Sequence, residues 1–400
     1  MSKRHRRHEQ PAPEPEPKEI KKESNYKGLI FLIGISILIK LIVLALSEQV
    51  SFVDAFDTTY YHDKYVTKIL AGQIPYVDFS VDYPQLFLVP VLIAKLLSPF
   101  FGNYYLAYMV LAIAIDCIVV VLVYLVGKNI LDDAKAYGAA FLYATAFGPA
   151  YFVLTKYDVF PTVLMMLSLF LMLKGDEFKA YLTSVAGYLM KFYPLVLVPF
   201  YWIYNRKNGK TSNEPVVKAL IIGIAVAGIF AIRSFDTFIY TYTINFGWTH
   251  PMSHGFVYYV NYLTKSEAFT GASSFVVGAI LIGLIAWYYR SDKKDEKTLI
   301  GVSALSVFTM MFFNNISSPQ YCVWVAPFFA IFLVDNIYEM LLFYAFAFIT
   351  YIDFPLAYGN YYDNVTGYFG NGAVAIFTVK FIILGVIAYI IAKKTVQPHD

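Results

Sequence analysis

The chain has 400 residues, of which 58% are hydrophobic, 18% aromatic and 15% charged, and its formal net charge is +3. Soluble proteins contain about 25% charged residues, so a water-soluble globule could not bury this much apolar surface. The composition excludes a soluble enzyme, a disordered scaffold and a nucleic-acid binder. It predicts an all-α, polytopic integral membrane protein.

The N-terminal tail, residues 1–27, is rich in Lys, Arg, His, Pro and Glu and lacks an apolar run. It is predicted to be disordered, and its positive charges predict that the N-terminus is cytoplasmic. The first apolar run, residues 28–47, is long enough to cross a hydrocarbon core of about 30 Å. Ten more long apolar runs follow, at residues 104–127, 134–154, 159–173, 181–204, 216–235, 273–289, 298–313, 321–334, 337–354 and 373–392.

Two topologies compete because residues 85–100 form a shorter apolar run that contains Lys95 and two prolines. If this run crosses the membrane, the lysines of the next loops face outward; if it lies at the outer interface, they face the cytoplasm. The preference of positive charges for the inner side favours the interfacial position. Residues 181–204 must then form two legs that are broken near Pro194, since proline interrupts a helix.

The favoured topology has about twelve crossings (about 11–13), interfacial helices in the first outer loop, and both termini in the cytoplasm. After the tail, it divides the chain into a first module, 28–235, with outer loop 48–103, and a C-terminal module, 236–400, with outer loops 236–272, 314–320 and 355–371.

The first outer loop combines carboxylates with aromatic side chains, at Asp54, Asp57, Tyr60, Tyr61, Asp82 and Tyr83. A carboxylate that is partly desolvated in a cleft at the membrane surface can act as a general base. The alternative is that these aspartates are simply solvated.

Three charged residues lie at or inside apolar runs further along the chain. Lys156 and Asp158 flank a short turn, where they either pair with each other or face the same cleft as Asp57. Lys191 interrupts an apolar run, which costs about 2.5–3.5 kcal/mol at mid-membrane. Its ammonium either binds an anionic ligand such as a phosphate or extends to the outer interface.

The remaining polar candidates lie in later outer segments, at Arg233, His254, Gln320 and Tyr321. His250 and His254 have no nearby carboxylate, and both cysteines lie in apolar runs, so no metal site or disulfide is predicted. Walker, Rossmann and G-x-S-x-G motifs are absent from the sequence. Any transferase chemistry must therefore draw its donor from the bilayer.

Taken in order, these segments resemble the GT-C glycosyltransferases, and most closely the bacterial polyprenyl-phosphate-mannose-dependent mannosyltransferases and the GPI mannosyltransferase I type. The resemblance covers residues 28–327. It rests on an Asp after the first span, GQIPY at 72–76, DYPQ at 82–85, KFYP at 191–194, and SPQY at 318–321 followed by Trp324 and Pro327. The chain departs from the family pattern at Gln85, which replaces a second proline, and at Asp54 and Asp57, which form D-x-x-D rather than D-x-D.

The resemblance implies an inverting membrane glycosyltransferase. It would move a hexose, mannose by likeness, from a polyprenyl- or dolichyl-phosphate donor to a lipid-linked or glycolipid acceptor. The active site would face the outside of a plasma membrane or the lumen of the endoplasmic reticulum. No cofactor, metal or nucleic acid is indicated.

The family's catalytic Asp carries over to Asp57, with Asp54 as the alternative, and Asp158 would orient the acceptor or share the base role. Lys191 and Arg233 would hold the donor phosphate. The other expected substrate-binding residues are Tyr60, Tyr61, Asp82, Tyr83, Tyr193, His254, Gln320 and Tyr321.

Two alternatives to a transferase are a multi-spanning transporter or flippase for lipid-linked sugars, and a non-catalytic assembly subunit. A carrier would place charges at the bilayer midplane in matched broken helices. The ionisable residues of this chain gather instead on the outer loops, which favours the transferase.

Overall fold

A computed structural model describes residues 23–49, 56–246, 255–356, 362–363, 368–369 and 371–397. These residues are almost all helical, which confirms the expected all-α class. Most of the N-terminal tail, including residues 1–22, lies outside the described residues. One two-residue antiparallel pairing joins β1 (Tyr362–Asp363) to β2 (Tyr368–Phe369).

The helices are, in chain order, α1 (Glu23–Gln49), α2 (Phe56–Tyr61), α3 (Thr67–Leu70), α4 (Leu88–Phe101), α5 (Tyr104–Gly127), α6 (Asp133–Ala144), α7 (Phe147–Thr155), α8 (Val159–Leu173), α9 (Glu177–Tyr188), α10 (Val198–Lys207), α11 (Glu214–Arg233), α12 (Phe235–Phe246), α13 (Phe256–Thr264), α14 (Ala268–Arg290), α15 (Glu296–Phe312), α16 (Cys322–Phe332), α17 (Ile337–Tyr351) and α18 (Asn371–Val396). Short 3-10 turns precede α4, α10 and α16, at Gln85–Phe87, Tyr193–Leu197 and Pro319–Tyr321. Short π-helical segments follow α2 and α17, at His62–Val66 and Ile352–Leu356.

Among the described residues, six helical segments are long and apolar enough to cross a membrane, and the bent pair of α6 and α7 makes up to seven. They confirm an integral membrane protein. The expected number of about twelve crossings is not confirmed by this criterion, because several of the expected spans are helices shorter than the roughly 20 residues that a crossing needs. Shorter apolar helices cover Val159–Leu173 and Pro319–Phe332, which were expected to cross, and Gln85–Phe101, which was expected to lie at the interface.

The apolar run around Lys191 is a helical hairpin, as the proline predicts. The first leg, α9, ends at Tyr188, and the second resumes in the 3-10 turn that contains Pro194. The feet of the hairpin meet, because the Asn205 side-chain amide donates to Glu177 Oε2 at 3.0 Å. Both legs therefore start and finish at the same end of the molecule, and Lys191 lies at the tip.

Charged residues mark one end of the helices, which we call the basic end. Here Asp335 binds the ammonium groups of Lys135 at 2.7 Å and Lys394 at 2.8 Å, and Lys210 pairs with Glu177 at 3.0 Å. The opposite end, the cavity end, carries loop 62–84, the turn at 156–158, the hairpin tip and loop 313–321. Helices such as α8 and α16 join the two ends.

The short helix α4 has both of its ends near the cavity end. Before it, the Leu86 amide donates to the Leu189 carbonyl of the hairpin tip at 2.7 Å. After it, Gly102 reverses the chain with φ 82°, and the ring of Tyr104 lies 4.7 Å from the ring of His62. This geometry is what an interfacial helix requires.

Close packing between α7 and α17 gives a stability prediction. A Cβ atom at Gly148 would lie 2.5 Å from the Ala347 carbonyl oxygen and 3.0 Å from Thr350 Cβ, so Gly148→Ala must push the two helices apart. We expect a loss of about 1–3 kcal/mol, the usual cost of overpacking, measured as a lower thermal unfolding temperature in detergent. The control is Gly283→Ala, where a Cβ atom meets nothing within 4 Å. Equal unfolding temperatures for both variants would contradict this packing.

Candidate functional site

The cavity end contains a cavity of about 1040 Å³, including its open mouth, which we call the main cavity. Its wall is formed by the hairpin tip, α12, α14, loop 313–321 and the start of α16. The lining side chains that bear on chemistry are Lys191, Tyr193, Asn245, Asn315, Tyr321 and Trp324. Segments far apart in the sequence therefore meet at one site.

Lys191 and Asp158 form a buried ion pair at this wall. Lys191 Nζ lies 2.6 Å from Asp158 Oδ1, and the two side chains are 7% and 1% exposed. The indole Nε1 of Trp324 donates to the same oxygen at 2.6 Å. Asp158 is thus held by two donors, and it fixes the ammonium of Lys191 at the edge of the cavity.

Four aromatic rings surround the ammonium of Lys191. Its distance to the ring centroids is 4.6 Å for Tyr321, 5.1 Å for Trp324, 5.4 Å for Tyr157 and 5.6 Å for Tyr83. Aromatic faces attract a cation at this distance. They therefore stabilise the charge of Lys191 in this buried position.

Two of these rings, those of Tyr321 and Trp324, form a stacked set with Tyr193. Trp324 stacks on Tyr321 with centroids 3.7 Å apart and on Tyr193 with centroids 4.0 Å apart. The Tyr193 hydroxyl lies 2.8 Å from Thr162 Oγ1, which locks the outer ring of the stack. This rigid wall positions both Lys191 and Asp158.

A second ion pair joins the start of α2 to the 156–158 turn. Asp57 Oδ2 lies 3.2 Å from Lys156 Nζ, and the two side chains are 20% and 6% exposed, respectively. Burial, and then the charge of Asp57, raises the pKa of Tyr61 well above its usual value. Asp57 is therefore close to the aromatic cluster, and it is the more accessible of the two described carboxylates that the sequence proposed as a base.

Tyr60 and Asp82 lie in a separate group on the outer loop. Lys64 Nζ binds Asp82 Oδ2 at 2.9 Å, and Lys64 also donates to the Tyr60 hydroxyl. Burial lowers the pKa of Lys64, but the hydrogen bonds that Lys64 donates to Tyr60 and Asp82, together with the charge of Asp82, outweigh it and the pKa rises. These two expected substrate-binding residues do not line the main cavity.

Other expected site residues are less central. Arg233 is exposed at the C-terminal end of α11 and does not line the main cavity. The Gln320 side chain accepts a hydrogen bond from the Ser318 hydroxyl, just before α16. Asp54 and His254 lie outside the described residues. In the part of the chain that the structure describes, no group of three or more His, Cys, Asp or Glu side chains could hold a metal ion.

Helix α12, which was not expected from the sequence, holds the loop that carries Asp82 and Tyr83, and we call these contacts the α12 clamp. Three side chains at four-residue spacing donate to loop carbonyls: Thr237 to Tyr76 at 2.5 Å, Thr241 to Val81 at 2.7 Å and Asn245 to Asp82 at 2.7 Å. Such spacing places all three on one helix face. The four-residue spacing of these polar side chains is the sequence signal that could have identified this helix.

Because Asn245 holds the loop at residues 76–83, we expect faster amide hydrogen exchange in this loop when Asn245 is replaced. Asn245→Ala removes a hydrogen bond worth about 0.5–1.5 kcal/mol, so exchange within residues 76–83 should accelerate by about 2- to 12-fold. The control is Thr243→Ala on the same helix, because the exposed Thr243 hydroxyl donates to the Tyr240 carbonyl of its own helix, at 3.0 Å. An unchanged exchange rate in Asn245→Ala would show that the amide does not hold the loop.

Together these contacts define the chemistry that the site offers. A desolvated cation faces a large cavity, where its interaction with an anion is stronger than in water. A carboxylate with partial solvent access lies nearby across an aromatic cluster. This pairing suits a reaction in which an anionic group leaves and a proton is removed from the attacking group.

In a comparison with protein families, residues 82–313 match the model described as Glycosyltransferase family 87. The matched region includes Asp158, Lys191 and the α12 clamp, whereas Asp57 and Tyr321 lie outside it. A comparison with curated proteins gave no match.

Proposed function

The chain belongs to glycosyltransferase family 87, and from this we propose that it moves a hexose from a polyprenyl- or dolichyl-phosphate donor to a lipid-linked or glycolipid acceptor. The single observation that carries the proposal is the buried Lys191 ammonium at the wall of the main cavity, fixed there by Asp158. The resemblance to mannosyltransferases favours mannose as the sugar.

In the proposed reaction, an acceptor hydroxyl attacks the anomeric carbon of the sugar with inversion. A new carbon–oxygen bond forms, and the bond from the anomeric carbon to the phosphate oxygen breaks with its electron pair on the polyprenyl phosphate. Asp57 takes the hydroxyl proton. Lys191 stabilises the charge on the leaving phosphate.

The contacts of the carboxylates support this division of roles. Asp158 is 1% exposed and one of its oxygens already accepts from Lys191 and Trp324, so it is an anchor for Lys191 rather than a base. Asp57 is 20% exposed and lies close enough to Lys191 for their charges to interact. A base must reach the acceptor hydroxyl, and Asp57 is the better placed of the two.

The lengths of the helices support a site recessed into the bilayer. The helices α8, α9 and α16 run from the basic end to the cavity end with 15, 12 and 11 residues. At 1.5 Å per residue they cover about 17–23 Å, less than a hydrocarbon core of about 30 Å. Lys191 would then lie below the membrane surface, where the phosphate of a lipid donor reaches it.

We further propose twelve crossings, with both termini in the cytoplasm and the cavity on the extracytoplasmic or lumenal face. Twelve segments alternate between the basic end and the cavity end: α1, α5, the α6–α7 pair, α8, α9, α10, α11, α14, α15, α16, α17 and α18. The lysines of the basic end support a cytoplasmic position for it.

The test is a transfer assay with the full chain in lipid nanodiscs. Polyprenyl-phosphate mannose with a radioactive sugar is supplied with a lipid extract as the acceptor source, beside polyprenyl-phosphate glucose as the matched donor. We expect the label of the mannose donor to enter a new glycolipid with an inverted anomeric centre. Movement of intact donor across a liposome membrane, without a new glycolipid from either donor, would overturn the proposal and identify a carrier.

A further inference from the structure

A second cavity lies at the cavity end, on the other side of the loop that leads into α16. It measures about 400 Å³ including its open mouth. Its polar lining comes from Ser317, Ser318, Thr350, Asp353 and Lys380, and the rest of its wall is mostly apolar. None of these residues belongs to the main cavity.

The second cavity contains a buried ion pair of its own. Lys380 Nζ lies 2.7 Å from Asp353 Oδ2, and the two residues are only 7% and 3% exposed. Both belong to helical segments that are apolar enough to cross a membrane. Charged groups in such segments are expensive to bury, and those that line a cavity mark functional sites.

The two cavities share a wall and have the same arrangement of charged side chains. Asn315 and Tyr321 face the main cavity, whereas Ser318 and Cys322, on the same stretch of chain, face the second. In each cavity a buried carboxylate holds a lysine at the wall. The charges of Asp158, Asp353 and Lys380 all act on the Cys322 thiol, so both ion pairs lie close to this residue.

The segment that supplies Asp353 to the second cavity also contacts the partner of the proposed base. Asp353 is followed by Phe354, whose ring centroid lies 5.6 Å from the Lys156 ammonium that pairs with Asp57. The helices that line the cavity expose apolar side chains on their outer surfaces, with Phe348 61% and Ile382 60% exposed. The second cavity therefore lies between helices with apolar outer surfaces, and its lining residue Asp353 is next in sequence to a residue that contacts Lys156.

We propose that the second cavity binds the phosphate of a second membrane lipid, and that this lipid is the acceptor. Lys380 supplies the cation, Ser317 and Ser318 supply hydroxyl donors, and the chain of the lipid extends past α17 and α18 into the bilayer. The acceptor role rests on the proposed function, because it requires a donor in the main cavity. The phosphate binding does not.

Binding is tested with the full chain in a neutral detergent by native mass spectrometry. The probes are phosphatidic acid, diacylglycerol with the same acyl chains, and a short polyprenyl phosphate. We expect wild type to prefer phosphatidic acid to diacylglycerol. Lys380→Gln should weaken phosphatidic acid binding at least 10-fold and leave polyprenyl phosphate binding unchanged, whereas Lys191→Gln should do the reverse.

Several results would overturn this assignment. Unchanged phosphatidic acid binding in Lys380→Gln would place the lipid elsewhere, and loss of both ligands in one variant would mean a single site. Competition by inorganic phosphate at equal affinity would identify a soluble phosphate as the ligand. If Lys380→Gln does not fold, Asp353→Leu with Lys380→Met removes the pair without leaving a lone buried charge, and it should lose the same ligand.

The acceptor role has its own kinetic test. In the transfer assay, Lys380→Gln should raise the KM of a phosphate-bearing acceptor at least 10-fold and leave the KM of the donor and of a neutral alkyl glycoside acceptor unchanged. A raised donor KM would assign the second cavity to the donor. Absence of transfer by wild type would overturn the proposed function, while the binding experiment would still decide the site.

Discussion

Asp57→Asn is expected to lower the rate of sugar transfer by about 10²- to 10⁴-fold, the contribution that a positioned general base makes. Asparagine keeps the shape of the side chain and cannot take the acceptor proton. The loss should appear in kcat, with little change in the KM of the donor, because Lys191 and not Asp57 holds the phosphate. The measurement is the steady-state rate with labelled polyprenyl-phosphate mannose.

The matched control for this variant is Asp63→Asn. Asp63 belongs to the same outer loop, and its side chain is 70% exposed beside His62. The Asp63→Asn variant should transfer sugar at the wild-type rate. If Asp57→Asn also transferred at that rate, the base would have to be Asp54 or Asp158, and the same substitution at each of them would decide between the two.

The second large effect concerns the Lys191–Asp158 pair. Removing either partner alone leaves a buried charge without compensation, which costs about 3–5 kcal/mol. We therefore expect Lys191→Met and Asp158→Asn each to lower the unfolding temperature in detergent sharply. The double variant should recover most of the stability, since an asparagine at position 158 still accepts from Trp324. The double variant should nevertheless lose donor binding, because the cation is gone.

This cycle separates stability from function. The surface pair of Lys218 and Glu214, with side chains 60% and 66% exposed, provides the control, and Lys218→Met should cost less than about 0.5 kcal/mol. Full donor affinity in the stable double variant would show that Lys191 is only a structural residue. Equal stability losses in the single and double variants would show that the two charges do not compensate each other.

Features that depend on a single segment of the chain could be predicted from the sequence. The apolar runs indicated a polytopic helical membrane protein, because the energy of crossing a bilayer depends on the composition of each segment by itself. Pro194 indicated a break beside Lys191, because proline acts on its own helix. The cost of a charge in an apolar run singled out Lys191 for the same reason.

Contacts between distant segments could not be read from the sequence. Asp158 meets Trp324 across 166 positions of the chain, and Asp57 meets Lys156 rather than Lys191. From the sequence we expected Arg233 and Asp82 to lie beside the donor, but neither residue lines the main cavity. Periodicity gives the face of a helix that is polar, whereas the partner of that face depends on how helices pack.

The sequence by itself determined the class of protein, the positions of most apolar helices and the charged residues that are costly to bury. Only the tertiary structure decided which charge neutralises which, that Asp158 is buried against Lys191 and Trp324 while Asp57 keeps solvent access, and that Lys380 lines a second cavity. The physical reason is that membrane insertion is a property of a segment, whereas ion pairing and cavity shape are set by the packing of several segments at once.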